Sequence, residues 1–241
     1  MDKKGCLYLI PTTIGSNQID NCIPFQVKVV VEKLKYFIVE NEKIARKFIK
    51  LLCPDKPQED IIFYSLKKNT SLIESDSFLN ICFKGKSVGL MSDAGCPGIA
   101  DPGASVTSKA HSLNIITKPL VGPSSILLAL MASGMNGQNF AFNGYLPIDK
   151  KERIKKIKFF EKRAFNENQS QIFIETPYRN NSLFVDFLAV LASSTILCIA
   201  TDISLDSEEI RSKSVGDWKR LSKEDFNKHP SIFIINSGVY L

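Results

Sequence analysis

One twelve-residue stretch combines the residue types that could hold a small ligand. Residues 92–103 (SDAGCPGIADPG) contain three Gly and two Pro, with an Asp near each end. Glycine lets backbone N–H and C=O groups approach a ligand closely because no Cβ intervenes, and proline reduces the entropy lost when a loop becomes ordered. A strand-to-helix connection could use Gly and Pro only as turn residues, but their density here favours a binding loop.

The two acidic residues of this segment have different interpretations. Asp93 directly follows a predicted strand over residues 87–91, where it could bind a cationic or hydroxyl-bearing part of a ligand or act only as a turn residue. Asp101 precedes Pro102 and a helix predicted over residues 104–111, so we expect it to be a helix N-cap.

Two further segments of small and polar residues could line the same ligand site, namely residues 11–17 (PTTIGSN) and 122–125 (GPSS). The glycine fingerprint of dinucleotide-binding folds and the P-loop pattern are both absent. The two histidines, His111 and His229, are far apart in sequence and neither has a metal-binding or triad context. No two cysteines form a Cys-x-x-Cys pair, so the sequence predicts no metal site.

Alternating strands and helices position these loops in the first half of the chain. Strands are predicted at residues 6–10, 36–39, 61–65, 87–91 and 114–118, with helices at 25–34, 40–52, 71–83 and 104–111. This order is typical of right-handed βαβ crossovers and a parallel sheet. Ligands of such sheets bind beyond the carboxyl ends of the strands, where the loops described above would lie.

The second half of the chain mixes hairpin-like and crossover connections. After a linker at residues 119–123, helices are predicted from Pro123 to residue 133 and at residues 151–165, 180–191 and 221–227, with strands at 140–146, 171–175, 195–201, 208–215 and 231–237. We therefore expect an α/β protein of two domains, residues 1–118 with a parallel sheet and residues 119–241 with a mixed sheet.

The positive charge of the chain is concentrated in one segment. The net charge is +6, and residues 150–163 contain eight basic and two acidic residues, which account for all of the excess. The segment could be a phosphate-binding surface for RNA or the solvated face of an amphipathic helix.

The sequence has neither an apolar run long enough for a membrane span nor a signal-peptide core. Its scattered cysteines predict reduced thiols and a cytoplasmic location.

Several motifs, in order along the chain, resemble those of the tetrapyrrole methylase family, and most closely its ribosomal small-subunit methyltransferase I branch. The segment SDAGCPGIADPG is similar to the signature loop of the family. The similarity continues through LYLIPTTIG (7–15), GPSS (122–125), ASGM (132–135), FNGYLP (142–147) and IETPYR (174–179). It therefore extends over nearly the whole chain.

The resemblance implies a homodimer of two-domain subunits, with S-adenosylmethionine in the cleft between the domains. The cofactor-binding residues that it implies are Pro11, Asp93, Ala94, Gly95, Pro97, Gly98, Ile99, Ser124, Ser125, Phe142, Gly144 and Ala200. Glu40 and Arg179 are the candidate catalytic residues on the acceptor side. The implied substrate is the 2′-hydroxyl of a cytidine in small-subunit ribosomal RNA. Alignment of the acceptor oxygen with the methyl group would supply most of the catalysis. A nearby base or polarising cation would help, because a 2′-hydroxyl is only weakly acidic.

Three motifs depart from the usual pattern of the branch on the presumed acceptor side. Glu-Asp-Thr-Arg is replaced by residues 40–43 (ENEK), His-Glu-His by residues 65–68 (SLKK), and Ala-Arg-Glu by residues 200–202 (ATD). The change from Arg to Lys43 removes a guanidinium group, which can bind a carboxylate or phosphate through two parallel hydrogen bonds. A methyltransferase for a small molecule or another RNA, and a non-catalytic protein that keeps the cofactor site, are therefore alternatives.

Overall fold

The chain folds into two α/β units, Met1–Ser124 and Ser125–Leu241. The structure, a computed structural model, describes residues 4–15, 19–66, 77–221 and 224–237. Each unit has its own five-stranded sheet. The predicted fold class, with a parallel sheet in the first half and a mixed sheet in the second, is confirmed. No helix in the described ranges is long and apolar enough to cross a membrane.

The first unit is a parallel sheet with the strand order β3-β2-β4-β1-β5. Its elements are β1 (Leu7–Ile10), α1 (Phe25–Lys33), β2 (Tyr36–Val39), α2 (Glu42–Leu52), β3 (Ile62–Ser65), β4 (Val88–Met91), α3 (Gly103–Ser112) and β5 (Thr117–Pro119), with 3-10 turns at Ile19–Asn21 and Phe78–Lys84. The helix predicted over residues 71–83 lies partly outside the described residues, and its described end is the second 3-10 turn.

The period-two alternation of the strands divides the core of this unit between two faces of the sheet. Phe37 and Val39 of β2 pack in the cluster that contains the buried residues of α1 and α2. Ile38 and Leu90 belong to the cluster that contains Val106 of α3. The helices that follow β1 and β4 therefore cover opposite faces, although these two strands are neighbours. In open α/β sheets, the gap that opens between two such strands at their carboxyl ends binds the ligand.

The second unit has the strand order β6-β7-β10-β8-β9, in which only β6 and β7 are parallel. Its elements are α4 (Ser125–Ser133), β6 (Phe140–Tyr145), α5 (Lys150–Glu167), β7 (Ser170–Glu175), α6 (Asn180–Val190), β8 (Ile196–Thr201), β9 (Glu209–Ser214), α7 (Val215–Trp218) and β10 (Ser231–Asn236).

Two local predictions in this half are wrong. Residues 222 and 223 of the short helix expected over 221–227 lie outside the described residues, and the described residues 221 and 224–227 are not helical. A short helix lies earlier, at α7, where the Ser214 side chain caps it by accepting from Asp217 N at 3.0 Å. Trp218 of α7 is buried and donates from Nε1 to Leu197 O at 2.8 Å, so tertiary packing selects the position of this helix. Pro123 also lies outside the first turn of α4, because that helix begins at Ser125.

Candidate functional site

The strand register of the first unit places several predicted site residues at one edge of its sheet. Met91 of β4 is paired with Ile10 of β1 on one side and with Val39 of β2 on the other. The residues that follow these strand ends, Pro11, Glu40 and the loop beginning at Ser92, therefore leave the sheet side by side. The register thus groups a candidate catalytic residue with two of the small-residue loops.

Direct contacts join the three small-residue loops of this unit. Thr12 donates from its backbone N to Gly95 O at 2.9 Å, and the Cys96 thiol donates to Pro123 O at 3.3 Å. A Cβ on Gly122 would lie 2.1 Å from the Cβ of Pro11, so the backbone at Gly122 can pass Pro11 only without a side chain. The segments around Pro11, Ser92–Gly103 and Gly122 consequently form one continuous surface.

The loop after β4 holds its shape through positive backbone angles and one carboxylate. Gly95 and Gly98 have φ values of +71° and +84°. Asp101 Oδ1 accepts from Gly98 N at 2.8 Å and from Gly103 N at 2.7 Å. The predicted N-cap role of Asp101 needs correction, because Pro102 occupies the N-cap position of α3. Asp101 lies one residue earlier and ties the loop to the first residue of the helix.

Asp93 is exposed at the start of this loop, and it accepts a hydrogen bond from the backbone N–H of Asn41. Partial burial raises the pKa of the Asp93 carboxyl, the Asn41 N–H lowers it, and the charge of Asp101 raises it. The net shift is upward. Because the side chain is exposed, its carboxylate can also accept from a hydroxyl or cation of a ligand.

Asn41, which stands where an acid is usual in the related branch, has a structural role of its own. Its side-chain Oδ1 accepts from Lys43 N at 3.0 Å and Ile44 N at 3.3 Å and so caps α2. An amide oxygen serves as an N-cap about as well as a carboxylate oxygen. The change therefore preserves the helix start and removes one negative charge beside Glu40, which is half-buried.

In the second unit, the predicted cofactor-binding residues lie on different elements. Phe142 and Gly144 are on β6, where the register shifts between Phe142 and Tyr145. Gly144 has φ +65°, and within the described ranges no heavy atom outside its two chain neighbours lies within 4 Å of the position its Cβ would take. Ala200 is fully buried on β8. Because β7 and β10 separate β6 from β8, these residues are three strand spacings apart, roughly 14 Å.

The candidate catalytic residue Arg179 lies at one edge of the sheet of the second unit, after the end of β7. Its Nε forms an ion pair with Oε1 of Glu175, whose side chain is only 4% exposed. The next residue, Asn180, is fully buried and donates from Nδ2 to Phe226 O at 2.9 Å and to His229 O at 2.7 Å. These contacts fix the turn that carries Arg179 against the segment preceding β10.

Sequence reasoning missed a residue pair at the same edge. His229 Nδ1 lies 2.6 Å from Asp202 Oδ2, so His229 has a carboxylate partner that the sequence analysis did not predict. The two residues are 27 positions apart, and only the pairing of β8 with β10 brings them together. The sequence signal available was an acid just after one strand and a histidine just before another. Among the described residues, no cluster of three potential metal ligands occurs.

Comparison with curated proteins gives the relationship of the chain. It is 30% identical over 239 residues to the ribosomal RNA small subunit methyltransferase I of Buchnera aphidicola subsp. Schizaphis graminum, covering 98% of this chain and 80% of that protein. The chain belongs to this methyltransferase family. The member from Neisseria meningitidis serogroup B is 28% identical, and the alignment covers 93% of this chain and 72% of that protein. The member from Escherichia coli O157:H7 is 26% identical, and the alignment covers 97% of this chain and 78% of that protein. No protein-family profile matches the chain.

Solved structures support the fold of this family member. The methyltransferase CobJ superposes with a TM-score of 0.64 at 12% identity, covering 96% of this chain and 94% of its own. A uroporphyrin-III-C-methyltransferase from Thermus thermophilus superposes with a TM-score of 0.57 at 14% identity, and the superposition covers 97% of this chain and 93% of that one. The tetrapyrrole methylase fold expected from the motifs is thus confirmed. The chain is a methyltransferase of this family, whose members use S-adenosyl-L-methionine.

Proposed function

We propose that this protein transfers the methyl group of S-adenosylmethionine to the ribose 2′-oxygen of a cytidine in small-subunit ribosomal RNA. One observation carries the proposal: a chain related over 98% of its length to a ribosomal RNA methyltransferase presents a preformed loop surface at the carboxyl ends of β1 and β4. The relatives described above are ribosomal RNA methyltransferases, which favours ribosomal RNA over a small-molecule acceptor.

The proposed cofactor contacts fall into two groups. In the first unit they are Pro11, Asp93, Ala94, Gly95, Pro97, Gly98, Ile99 and Ser124, and in the second unit Ser125, Phe142, Gly144 and Ala200. The loop after β4 fits such a ligand. Its glycines leave backbone groups uncovered, Asp93 can accept from a ribose hydroxyl, and the exposed Ile99, 52% accessible, can cover an apolar ring.

The chemistry divides simply between the cofactor and the chain. The sulfonium of S-adenosylmethionine supplies a methyl group that is already activated for attack. The residues of this chain then hold the acceptor oxygen in line with the methyl group and exclude water, and this orientation can contribute several kcal/mol. Glu40 and Arg179 are proposed to orient the acceptor nucleotide, Arg179 by contacting its phosphate or ribose.

Substitution of Arg179 separates an acceptor role from a structural one. We expect Arg179→Ala to leave the Kd for S-adenosylmethionine within about 3-fold and to lower kcat by roughly 10- to 100-fold, about 1.4–2.8 kcal/mol. The variant should also lose about 2–3 kcal/mol of stability, because it leaves the buried Glu175 carboxylate without its cation. Calorimetric binding, methyl transfer and chemical denaturation measure the three quantities.

A double variant is the matched control for Arg179. Glu175→Gln combined with Arg179→Ala removes the uncompensated charge, and so should recover most of the stability without recovering turnover. If the double variant regains full activity, or if Arg179→Ala abolishes cofactor binding, Arg179 does not act on the acceptor.

The basic segment forms much of α5, and we propose that its exposed lysines contact RNA phosphates. Arg153 is not part of this exposed surface, because its side chain is buried and forms an ion pair with Asp186. Lys151, Lys158 and Lys162 are exposed and have no ion-pair partner within the described ranges. Their charge is therefore available to a polyanion.

Neutralising these lysines should weaken RNA binding in a salt-dependent way. For Lys158→Gln with Lys162→Gln we expect the slope of log K against log salt to fall by about 1.4–1.8, because each phosphate contact contributes about 0.7–0.9. Filter binding to small-subunit RNA at several salt concentrations measures the slope. The control is Lys47→Gln with Lys219→Gln, which removes the same charge from exposed positions outside α5. Equal slopes for the two double variants would exclude α5 as the RNA surface.

Methyl incorporation tests the proposed function directly. Small ribosomal subunits from a strain lacking this modification are incubated with the protein and methyl-labelled S-adenosylmethionine, and fully modified subunits are the control. We expect label at a cytidine ribose in the unmodified subunits only. Label in other RNA or in small molecules of an extract, with none in ribosomes, would favour the alternative acceptor. Cofactor binding without transfer to any fraction would indicate a non-catalytic paralogue.

We also propose that the protein is a cytoplasmic homodimer, as the family resemblance implies. Light scattering of the purified chain should give twice the 26.9 kDa subunit mass. Fractionation of cells that produce the protein should recover it with the cytoplasmic ribosomes.

A further inference from the structure

The pair formed by His229 and Asp202 is unlike an ordinary surface ion pair. The carboxylate side chain is 6% exposed, whereas the imidazole is 48% exposed, and 2.6 Å separates Asp202 Oδ2 from His229 Nδ1. A buried acid thus supports a ring that solvent and ligands can reach. This arrangement of a hidden carboxylate and an accessible imidazole resembles the orienting pair of acid–base catalysts.

Several bonds fix Asp202 in a backbone conformation that non-glycine residues rarely adopt. Its φ is +50°, in the left-handed region of the backbone map. Asp202 N donates to Pro230 O at 3.0 Å, and Asp202 O accepts from Leu205 N at 2.9 Å. Ser207 Oγ donates to Asp202 Oδ2 at 2.8 Å. The carboxylate is therefore held in place from both sides of the turn after β8.

The backbone of His229 is fixed as well. Its carbonyl oxygen accepts from Asn180 Nδ2 at 2.7 Å and from Ser231 Oγ at 2.8 Å. Within the described ranges, the contact with Asp202 is the one hydrogen bond of its imidazole. When Nδ1–H donates to the carboxylate, the lone pair of Nε2 is free to accept a proton.

The pair lies at the sheet edge that carries the proposed acceptor residue. Ser231, two residues after His229, is paired with Glu175 on one side and Thr201 on the other. The turn with Arg179 therefore begins beside β10, and Asp202 comes two residues after Ala200, a proposed cofactor contact. The imidazole thus lies between elements to which we assign the acceptor and the methyl donor.

We propose that His229 is the general base of methyl transfer and that Asp202 positions it. The inference rests on the proposed function. The acceptor hydroxyl gives its proton to Nε2 of His229 as its oxygen forms a bond with the methyl carbon. The bond between carbon and sulfur breaks, and its electron pair stays on sulfur. The products are a methyl ether, S-adenosylhomocysteine and an imidazolium whose charge faces the Asp202 carboxylate.

A purely structural role for the pair makes different predictions. If His229 only closes the turn between β8 and β10, its removal lowers stability and leaves kcat per folded molecule unchanged. If His229 accepts the proton, its removal lowers kcat by roughly 100-fold or more with little change in the Kd of either substrate. Free imidazole should then restore part of the rate, because it can occupy the space left by the side chain.

The experiment compares His229→Ala, Asp202→Asn and the control His111→Ala, which replaces an exposed histidine of the first unit. Methyl transfer to unmodified small subunits is measured with and without imidazole, with cofactor and RNA binding measured separately. We expect a roughly 100-fold fall in kcat for His229→Ala with partial rescue, a smaller unrescued fall for Asp202→Asn, and no change for His111→Ala.

Two results would overturn the inference while the proposed function stands. One is a kcat of His229→Ala that lies within about 3-fold of the kcat of the unaltered enzyme. The other is a loss that imidazole does not rescue and that follows the loss of RNA or cofactor binding. If the unaltered protein labels no acceptor at all, the proposed function and this inference fail together.

Discussion

Gly95→Val is expected to weaken binding of S-adenosylmethionine by at least about 100-fold, or about 2.8 kcal/mol. Gly95 has φ +71°, where a β-branched side chain is strained, and its Cβ would lie 3.2 Å from Ile14 Cγ2 and 3.5 Å from Pro123 O. The added methyl groups must displace the loop or the segments it contacts. Titration calorimetry with S-adenosylmethionine measures the loss.

A second glycine provides a matched control for this substitution. Gly134 has nearly the same φ, +70°, but apart from its chain neighbours no heavy atom in the part of the chain that the structure describes lies within 4 Å of the position of its Cβ. Gly134→Val therefore introduces the same backbone strain without the steric contact, and should leave cofactor affinity within about 3-fold. Unchanged affinity in a folded Gly95→Val protein would contradict the placement of the ligand at this loop.

Asp186→Ala is expected to destabilise the second unit by about 3–5 kcal/mol, because it leaves a buried guanidinium without its counter-ion. Arg153 Nε donates to Asp186 Oδ2 at 2.7 Å, and the side chains of Arg153 and Asp186 are 11% and 3% exposed. Denaturation followed by the fluorescence of Trp218, the one tryptophan of the chain, measures the unfolding of this unit.

Two further variants show whether burial of the Arg153–Asp186 pair causes the loss of stability in Asp186→Ala. Glu152 pairs with Lys155 on the exposed side of the same helix, so Glu152→Ala should leave the free energy of unfolding nearly unchanged. Arg153→Met combined with Asp186→Leu replaces both charges with apolar groups and should recover most of the loss. If Asp186→Ala and Glu152→Ala cost the same, the Arg153–Asp186 pair does not anchor α5 to α6.

Local patterns were sufficient for much of the fold. Strand β2 was predicted with the observed bounds, because its apolar run is flanked by polar residues. The helix at α2 was predicted to within two residues, and Asn41 caps it. The helix predicted near residue 221 was wrong: the short helix contains the buried Trp218, and tertiary packing overrides the helical preference of the Lys, Leu and Glu residues that follow.

The sequence by itself determined the alternation of strands and helices, the two sheet types and the glycine-rich loop that identifies the family, because each depends on residues that are close along the chain. The tertiary structure alone decided that Arg153 is buried, that the Asn41 N–H binds Asp93, and that Asp202 supports His229. These contacts depend on which strands become neighbours and in what register. That choice is made by packing across the sheet, which no local pattern encodes.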